Sequence, residues 1–245
     1  MQISKKILIF ISLLLICILT FSIFQLLRIY TEKEKSISQF KGLKNIIENT
    51  SVQTENENPQ YLKLKEKNSD FIGWLTIDGT NIDYPVMQNT NDSEFYLKHN
   101  FDKEKDRHGI PFAASSSSIP NGDNIIIFGH SMKDGTMFSE LQKFISPKFC
   151  EENHSIMFNT FTTSNVYDVI MVFKISESDT EKFPYYTYTS FDNITANNYL
   201  SMASQYSIWN NNKTINNDTK LLTLSTCEYT LNNGRLVIIA KKRAD

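Results

Sequence analysis

Glycine is scarce in this chain of 245 residues, with 8, and arginine is rarer still, occurring only at Arg28, Arg107, Arg235 and Arg243. The glycine shortage goes with abundant Asn, Lys and Ile and reflects compositional bias rather than function. A formal net charge of -2 offers no broad basic surface, which sets nucleic-acid binding aside. There is no internal repeat, and the cysteines and histidines do not cluster as metal ligands do. What is present, 40% hydrophobic and 21% charged residues, is ordinary for one globular domain with an appendage.

The appendage is N-terminal. Ile7 to Leu27 is uncharged and strongly apolar; at about 1.5 Å per residue it is long enough to cross a hydrocarbon core of about 30 Å. Residues 7–27 are therefore read as a transmembrane anchor. A cleaved signal peptide fits less well, because the run is long for a signal's apolar segment and no small-x-small cleavage site follows. Leu14-Leu-Ile-Cys17 has bulky Ile16 where a lipid-attachment site takes a small residue, so Cys17 reads as a membrane-buried thiol. Lys5 and Lys6 precede the run, whereas Arg28, Lys33 and Lys35 beyond it are mixed with Glu32 and Glu34. The positive-inside rule then predicts a cytoplasmic tail over 1–6 and the bulk of the chain outside the cell membrane.

Residues 28–69 read as a polar stalk and amphipathic helical region, with Ile37, Phe40, Leu43, Ile46 and Ile47 three or four apart on one helical face. A helix packed on the domain and a solvated stalk both stay open for residues before Ser36. Ser51 to Pro59 is a polar break, and Tyr61-Leu62-Lys63-Leu64 begins a second short helix.

From Asp70 the chain reads as one β-rich domain, residues 70–245. Trp74–Ile77 and Ile82–Val86 alternate around Asp78-Gly79, a hairpin signal. Asn91 to Phe101 reads as a short helix or turn, Gly109–Ala113 as a strand, and Asn124–Phe128 as an apolar strand ending at His130. Thr136 to Phe144 has helical spacing, and His154–Phe158 and Val166–Ile175 are further strands. Many short strands with few helices predict a closed β-barrel. Between residues 176 and 220 lies a long insertion, too polar over most of its length for a barrel strand. In it Ile194–Ile208 suits a helix laid on the barrel, and Asn211–Asp218 a surface turn.

The chemistry concentrates near the C-terminus. Leu221–Tyr229 and Arg235–Ala240 flank Asn232-Asn233-Gly234, a hairpin that sets Cys227 beside Arg235. A thiol with a pKa of about 8.5 becomes a useful nucleophile beside a cation or base. Arg235 supplies a permanent charge and a fork of donors, and His130, at a strand end, is the candidate base. His99, His108 and His154 lie in polar stretches and read as surface residues.

Thr223-Leu-Ser-Thr-Cys227, Arg235 and Gly129-His130 resemble the sortases, cysteine transpeptidases of Gram-positive cell surfaces. Phe71-Ile-Gly-Trp-Leu-Thr-Ile-Asp-Gly-Thr-Asn-Ile-Asp-Tyr-Pro-Val86 and Gly129-His-Ser-Met-Lys-Asp-Gly-Thr-Met-Phe138 resemble class B, and the likeness extends from about Asp70 to Lys242. The resemblance implies a mainly β fold: a closed eight-stranded sortase barrel with peripheral helices. It also implies a thioester acyl-enzyme on Cys227, formed after the Thr of a C-terminal sorting motif and resolved by an amine of a peptidoglycan precursor or cross-bridge. The motif is expected to be Asn-Pro-x-Thr-like, and neither step demands a metal or redox cofactor.

For the peptide, Ser225 and Glu228 match class positions that contact it; Ser225 shares the face of Cys227 and is favoured, whereas Glu228 at the strand end can be merely solvated. Leu97 and Ser93 are further candidates, although Asp92-Ser93 departs from the class's Asp-Asn. Tyr186 or Tyr188 can wall the groove or simply pack the insertion. Two alternatives stand beside the transpeptidase. One is a cysteine protease using water, though not papain-like, since no Cys-Gly-x-Cys-Trp surrounds the thiol. The other is a non-catalytic, membrane-tethered binding domain with a Cys150–Cys227 disulfide.

Overall fold

The structure, a computed structural model, describes residues 5–49, 58–211, 215–216 and 218–244. The chain divides into two compact units, Met1–Lys41 and Gly42–Asp245. The first is most of one helix, α1 (Lys5–Glu48), whose most apolar window has a mean hydropathy of 3.0 and no buried share. Its large apolar side chains are exposed all round, from Ile7 through Phe10 and Leu14 to Leu27. A helix apolar on every side needs an apolar surrounding, so α1 is a candidate membrane span. The hydroxyls of Ser12, Thr20 and Ser22 donate to the carbonyls of Ile9, Cys17 and Ile18, which keeps these polar groups satisfied within the helix.

In the second unit, the last turns of α1 bury Leu43, and Lys44 bonds the Asp83 carboxylate. Most of the polar break expected over Ser51–Pro59 lies outside the described residues. A short helix, α2 (Pro59–Lys67), follows and buries Tyr61 and Leu64.

Among the described residues, nine strands then form one sheet: β1 (Phe71–Ile77), β2 (Asp83–Met87), β3 (Phe112–Ala113), β4 (Asn124–Phe128), β5 (Ser155–Asn159), β6 (Ser164–Ile175), β7 (Ser207–Asn210), β8 (Leu221–Glu228) and β9 (Gly234–Lys242). The order is β5-β1-β2-β3-β4-β8-β9-β6-β7, and an additional β5–β6 pairing closes eight strands into a barrel. The long β6 pairs with β5 over its first half and with β7 over its second, so β7 hangs outside the ring.

Two cores explain why β6, β8 and β9 read as nearly continuous apolar runs: both of their faces are buried. Leu222 and Leu224 of β8 and Leu236, Ile238 and Ala240 of β9 fill the barrel interior. Leu221, Val237 and Ile239 face outward under the insertion, against Phe183, Tyr185 and Tyr199. On β6 the alternation breaks at a bulge between Val169 and Met171, which lets Ile170 and Met171 both face outward.

The insertion holds α4 (Glu177–Thr180) and α5 (Ala196–Ser204), after α3 (Pro147–Glu152) earlier in the chain. The helix is shorter than the expected Ile194–Ile208. Thr195 caps its start by accepting from Asn198 N–H, and the chain then turns into β7. That strand lies in a stretch judged too polar; it is short, at the edge, and its one large inward contact is Trp209 on the barrel core. The strand expected at Gly109–Ala113 is reduced to β3, because Gly109 is left-handed (φ 58) and Pro111 has no N–H to donate. The helix expected over Thr136–Phe144 is a 3-10 helix over Phe138–Ile145, which buries Phe138, Leu141 and Phe144 at its three-residue period. Parts of the expected turn at Asn211–Asp218 lie outside the described residues.

Candidate active site

β4 and β8 run parallel with Phe128 beside Ser225, and β8 and β9 run antiparallel with Cys227 directly opposite Arg235. Beyond β4, Gly129 N–H donates to the Ser225 carbonyl (3.2 Å) and the Thr226 hydroxyl donates to the Gly129 carbonyl (2.8 Å). These two bonds extend the ladder, so His130 emerges level with Cys227. Gly129 itself has no room for a side chain: a Cβ there would meet the Phe138 ring at 2.7 Å.

Alternation decides which way the three residues face. Leu222, Leu224 and Leu236 point into the barrel, so Cys227 and Arg235 point outward, with Leu221 and Val237. On β4 the inward residues are Ile125 and Ile127, and outward Asn124 accepts the Thr223 hydroxyl at 2.8 Å. His130 has the parity of Asn124. The barrel therefore presents His130, Cys227 and Arg235 in that order on adjacent strand ends of one face, each half-buried.

Each of the three is held from behind. His130 Nε2 lies 2.8 Å from the Leu97 carbonyl, which can only accept, so Nε2 carries the proton and Nδ1 is left with the lone pair of the neutral ring. The Cys227 carbonyl accepts from Gln142 Nε2 at 3.2 Å. Arg235 Nη1 donates to the carbonyls of Asn233 and Gly234, both at 3.0 Å, and among the described residues its Nε and Nη2 make no hydrogen bond. Nearby, the Tyr229 hydroxyl donates to the Ser131 carbonyl (2.9 Å), and the residue is 68% exposed. Ser131, Met132, Gly135, Gln142 and Tyr229 help line a cleft of about 460 Å³. His130, Cys227 and Arg235 are not among the residues that line this cleft; at neighbouring strand ends they offer a thiol, an imidazole and a fork of donors, the set that acyl transfer requires.

A family model described as Sortase domain matches residues 75–243. The chain belongs to the sortase family. Its relatives place it in class B: it is 36% identical over 182 residues to Sortase B of Listeria monocytogenes, covering 73% of this chain and 72% of that one. It is 27% identical over 242 residues to Sortase B of Staphylococcus aureus, covering 97% of each. The structure of the S. aureus sortase B–substrate complex superposes with a TM-score of 0.76 at 27% identity, covering 87% of this chain and 98% of that one. As a sortase, the protein is a cysteine transpeptidase.

The other expected peptide contacts of this sortase fall in different surroundings. Ser225 lies on the face of Cys227 but is buried, its hydroxyl 2.7 Å from that of Tyr185. Burial pushes the Tyr185 hydroxyl up to about 12. Leu97 meets the site through its carbonyl, and Ser93 is exposed on the same loop. Tyr188 packs on Phe183 (6.0 Å, stacked) and Tyr199, and its carbonyl accepts from Asn124. Tyr186 is the exposed member of the cluster.

Three expectations are corrected. Glu228 is not solvated: it is 4% exposed, and its carboxylate accepts from Thr230 N–H and hydroxyl, Leu231 N–H and Lys174 Nζ. Burial opposes its ionisation, but those donors outweigh it and hold the carboxyl below its usual range. Cys150 and Cys227 are both free, which removes the disulfide-linked alternative. His108 is buried between Asp106 and Asp134, since two carboxylates far apart in sequence shelter both its ring nitrogens. Gln142 was not foreseen; a polar residue among Leu141, Lys143 and Phe144 gives no sign in sequence that it reaches β8.

Proposed function

We propose that this sortase cleaves a C-terminal sorting motif of secreted proteins after Thr, with Cys227 as nucleophile, His130 as general acid and base, and Arg235 as the holder of the substrate carbonyl. The observation that carries the proposal is the alignment of these three side chains on one outward face at adjacent strand ends. The Cys227 thiolate adds to the Thr carbonyl carbon, and Arg235 donates to the oxygen as it gains charge. The C–N bond breaks as protonated His130 gives its proton to the leaving amine, which yields the thioester. An incoming amine loses a proton to His130, attacks the thioester, and releases the thiolate, so one peptide bond replaces another. A sortase B solved in complex with triglycine supports a peptidic amine as the acceptor. The motif is proposed to be Asn-Pro-x-Thr-like, and the acceptor to be an amine of peptidoglycan or its precursor.

The architecture proposed with it is a cytoplasmic tail over 1–6, an anchor over 7–27, a connecting region over 28–69 and the catalytic domain over 70–245, the last outside the cell. The all-round apolar face of α1 supports the anchor. Protease added to intact protoplasts should remove the catalytic domain, and its protection would overturn the orientation. For the chemistry, incubation with an Asn-Pro-x-Thr peptide and excess triglycine should yield a ligated product, with the acyl adduct trapped on the Cys227 peptide. Hydrolysed peptide alone at saturating amine would favour the protease using water.

A further inference from the structure

His108 sits where two loops meet. Its side chain is fully buried, with Nδ1 3.1 Å from Asp106 Oδ1 and Nε2 2.8 Å from Asp134 Oδ2. An ionised carboxylate only accepts, so facing one at each nitrogen requires both to carry protons, and the ring is held as imidazolium. The bond to Asp106, aided by that to Asp134, raises its pKa against the opposing effect of burial. The charged groups that face it are Asp106 from its own loop and Asp134 from the loop across; Tyr84 of β2 also faces Asp134, and Lys105 and Arg107 flank His108 from exposed positions.

Both loops hold His130. On one side, Asp106 N–H bonds the Lys98 carbonyl (2.9 Å), Ile110 N–H bonds that of Tyr96 (3.0 Å), and Leu97 between them receives His130 Nε2. Gly109 packs so closely there that a Cβ would meet the Tyr96 and Leu97 carbonyl oxygens at 2.5 and 2.7 Å. On the other side, the loop from Ser131 to Met137 begins directly after His130 and closes on it through Phe138 N–H to the His130 carbonyl (2.8 Å). Asp134 organises that loop, its Oδ1 accepting from Thr136 N–H (3.1 Å) and hydroxyl (2.7 Å) while its Oδ2 meets His108. One loop thus fixes the His130 ring and the other its backbone, and His108 ties the two together.

We infer that His108 is a positioning residue for this sortase: a buried cationic bridge between Asp106 and Asp134 that locks the Leu97 loop and the Ser131–Met137 loop together and thereby fixes the imidazole of His130 beside Cys227. This rests on the pairing of His130 with Cys227 proposed above. Glutamine at 108 cannot span both carboxylates. Asparagine at 134 can keep the bridge without charge: its Oδ1 still accepts from Thr136 while its Nδ2 donates to Nε2 of a neutral ring whose Nδ1–H faces Asp106.

The test is the rate of Cys227 alkylation by iodoacetamide across pH 6 to about 9 in the full chain, read by mass spectrometry on the Cys227 peptide. His130→Ala sets the profile of an unassisted thiol. His108→Gln and Asp134→Ala are expected to move toward that profile, with near-neutral reactivity lower on the order of tenfold, a coupling usual within one hydrogen-bond network, whereas Asp134→Asn keeps the wild-type profile. In a double-mutant cycle, His108→Gln adds nothing in the His130→Ala background. An additive loss there, or an Asp134→Asn profile matching Asp134→Ala, overturns the inference while leaving the pairing intact. A His130→Ala profile identical to wild type removes the pairing itself, and the inference with it. If His108→Gln fails to fold, the two Asp134 variants decide alone.

Discussion

The two thiols of the barrel unit show how the same group is made inert in one region and available in another. Cys150, on α3, is fully buried in the barrel core and donates to the Phe144 carbonyl, and burial pushes its pKa up to about 11. Cys227 stands half-buried at the end of β8, opposite a guanidinium. The histidines repeat the contrast: His108 has both nitrogens occupied by carboxylates, whereas among the described residues His130 is tied at Nε2 alone. Inside the domain, reactive side chains serve packing and cross-linking; at the rim, strand ends leave one functional atom of each open to a substrate.

The sharpest way to break this comparison is to exchange the thiols' fates. Cys227→Ala is expected to abolish transpeptidation with little change in melting temperature, while Cys150→Ala keeps turnover and loses about 1 kcal/mol of stability for a small buried truncation. Peptide cleavage assays beside thermal melts check both, and an active Cys227→Ala would sink the nucleophile assignment.

Next in size is Arg235. If its fork of donors positions the oxyanion, Arg235→Lys should fail nearly as badly as Arg235→Ala, with about 10²–10³ lost in kcat and a smaller change in KM. Near-native turnover by the lysine variant would mean that charge alone suffices.

Smaller still is the buried carboxylate beneath the hairpin turn. Glu228→Gln leaves Lys174 facing a neutral amide and should lower stability by about 1–3 kcal/mol. Because the folded carboxyl titrates below its unfolded value, the wild-type advantage is present above about pH 4.3 and is lost as pH falls through the folded pKa. Melts from neutral to acid pH should show the two proteins converging; a constant gap would deny that ionisation matters.

The least effect belongs to His108. Its folded pKa is raised, so its contribution is complete below the unfolded value of about 6.5 and is lost as pH rises through the folded one. Wild type should lose stability relative to Asp134→Asn on the alkaline side, and parallel melting curves would show that no charge is held there.

How far the sequence could be read followed from how local each signal was. The hairpin that pairs Cys227 with Arg235 is written in a contiguous stretch, two apolar runs around Asn-Gly, and its register appears as expected. The strand ending at His130 was likewise legible, since Ile125–Phe128 is short, apolar and stopped by a polar loop. His108 was misread because its burial depends on Asp134, a partner 26 residues away that composition cannot bring to it. β7 was missed for a related reason: an edge strand satisfied by one neighbour needs little apolar patterning, and only Trp209 signals it. Ser225 looked open from strand parity, but the insertion that covers it with Tyr185 lies 40 residues earlier.

The register of the β8–β9 hairpin also sets which changes the active site can absorb. Cys227 and Arg235 are neighbours across a backbone ladder that runs back through Thr226–Leu236 and Ser225–Val237 to Leu221–Lys241. Their spacing is therefore set by the ladder and not by the length of the link between them; residues inserted among Tyr229, Thr230 and Leu231 would disturb the donors to Glu228 before they moved the pair. A slip of β9 by a single position would do the opposite. It would turn Arg235 into the barrel among Leu224 and Ile238 and bring out an aliphatic residue in its place. The tip of this hairpin is tied through Glu228 and Ser131, in contacts that cost stability when lost, while the ladder beneath it forbids an odd shift.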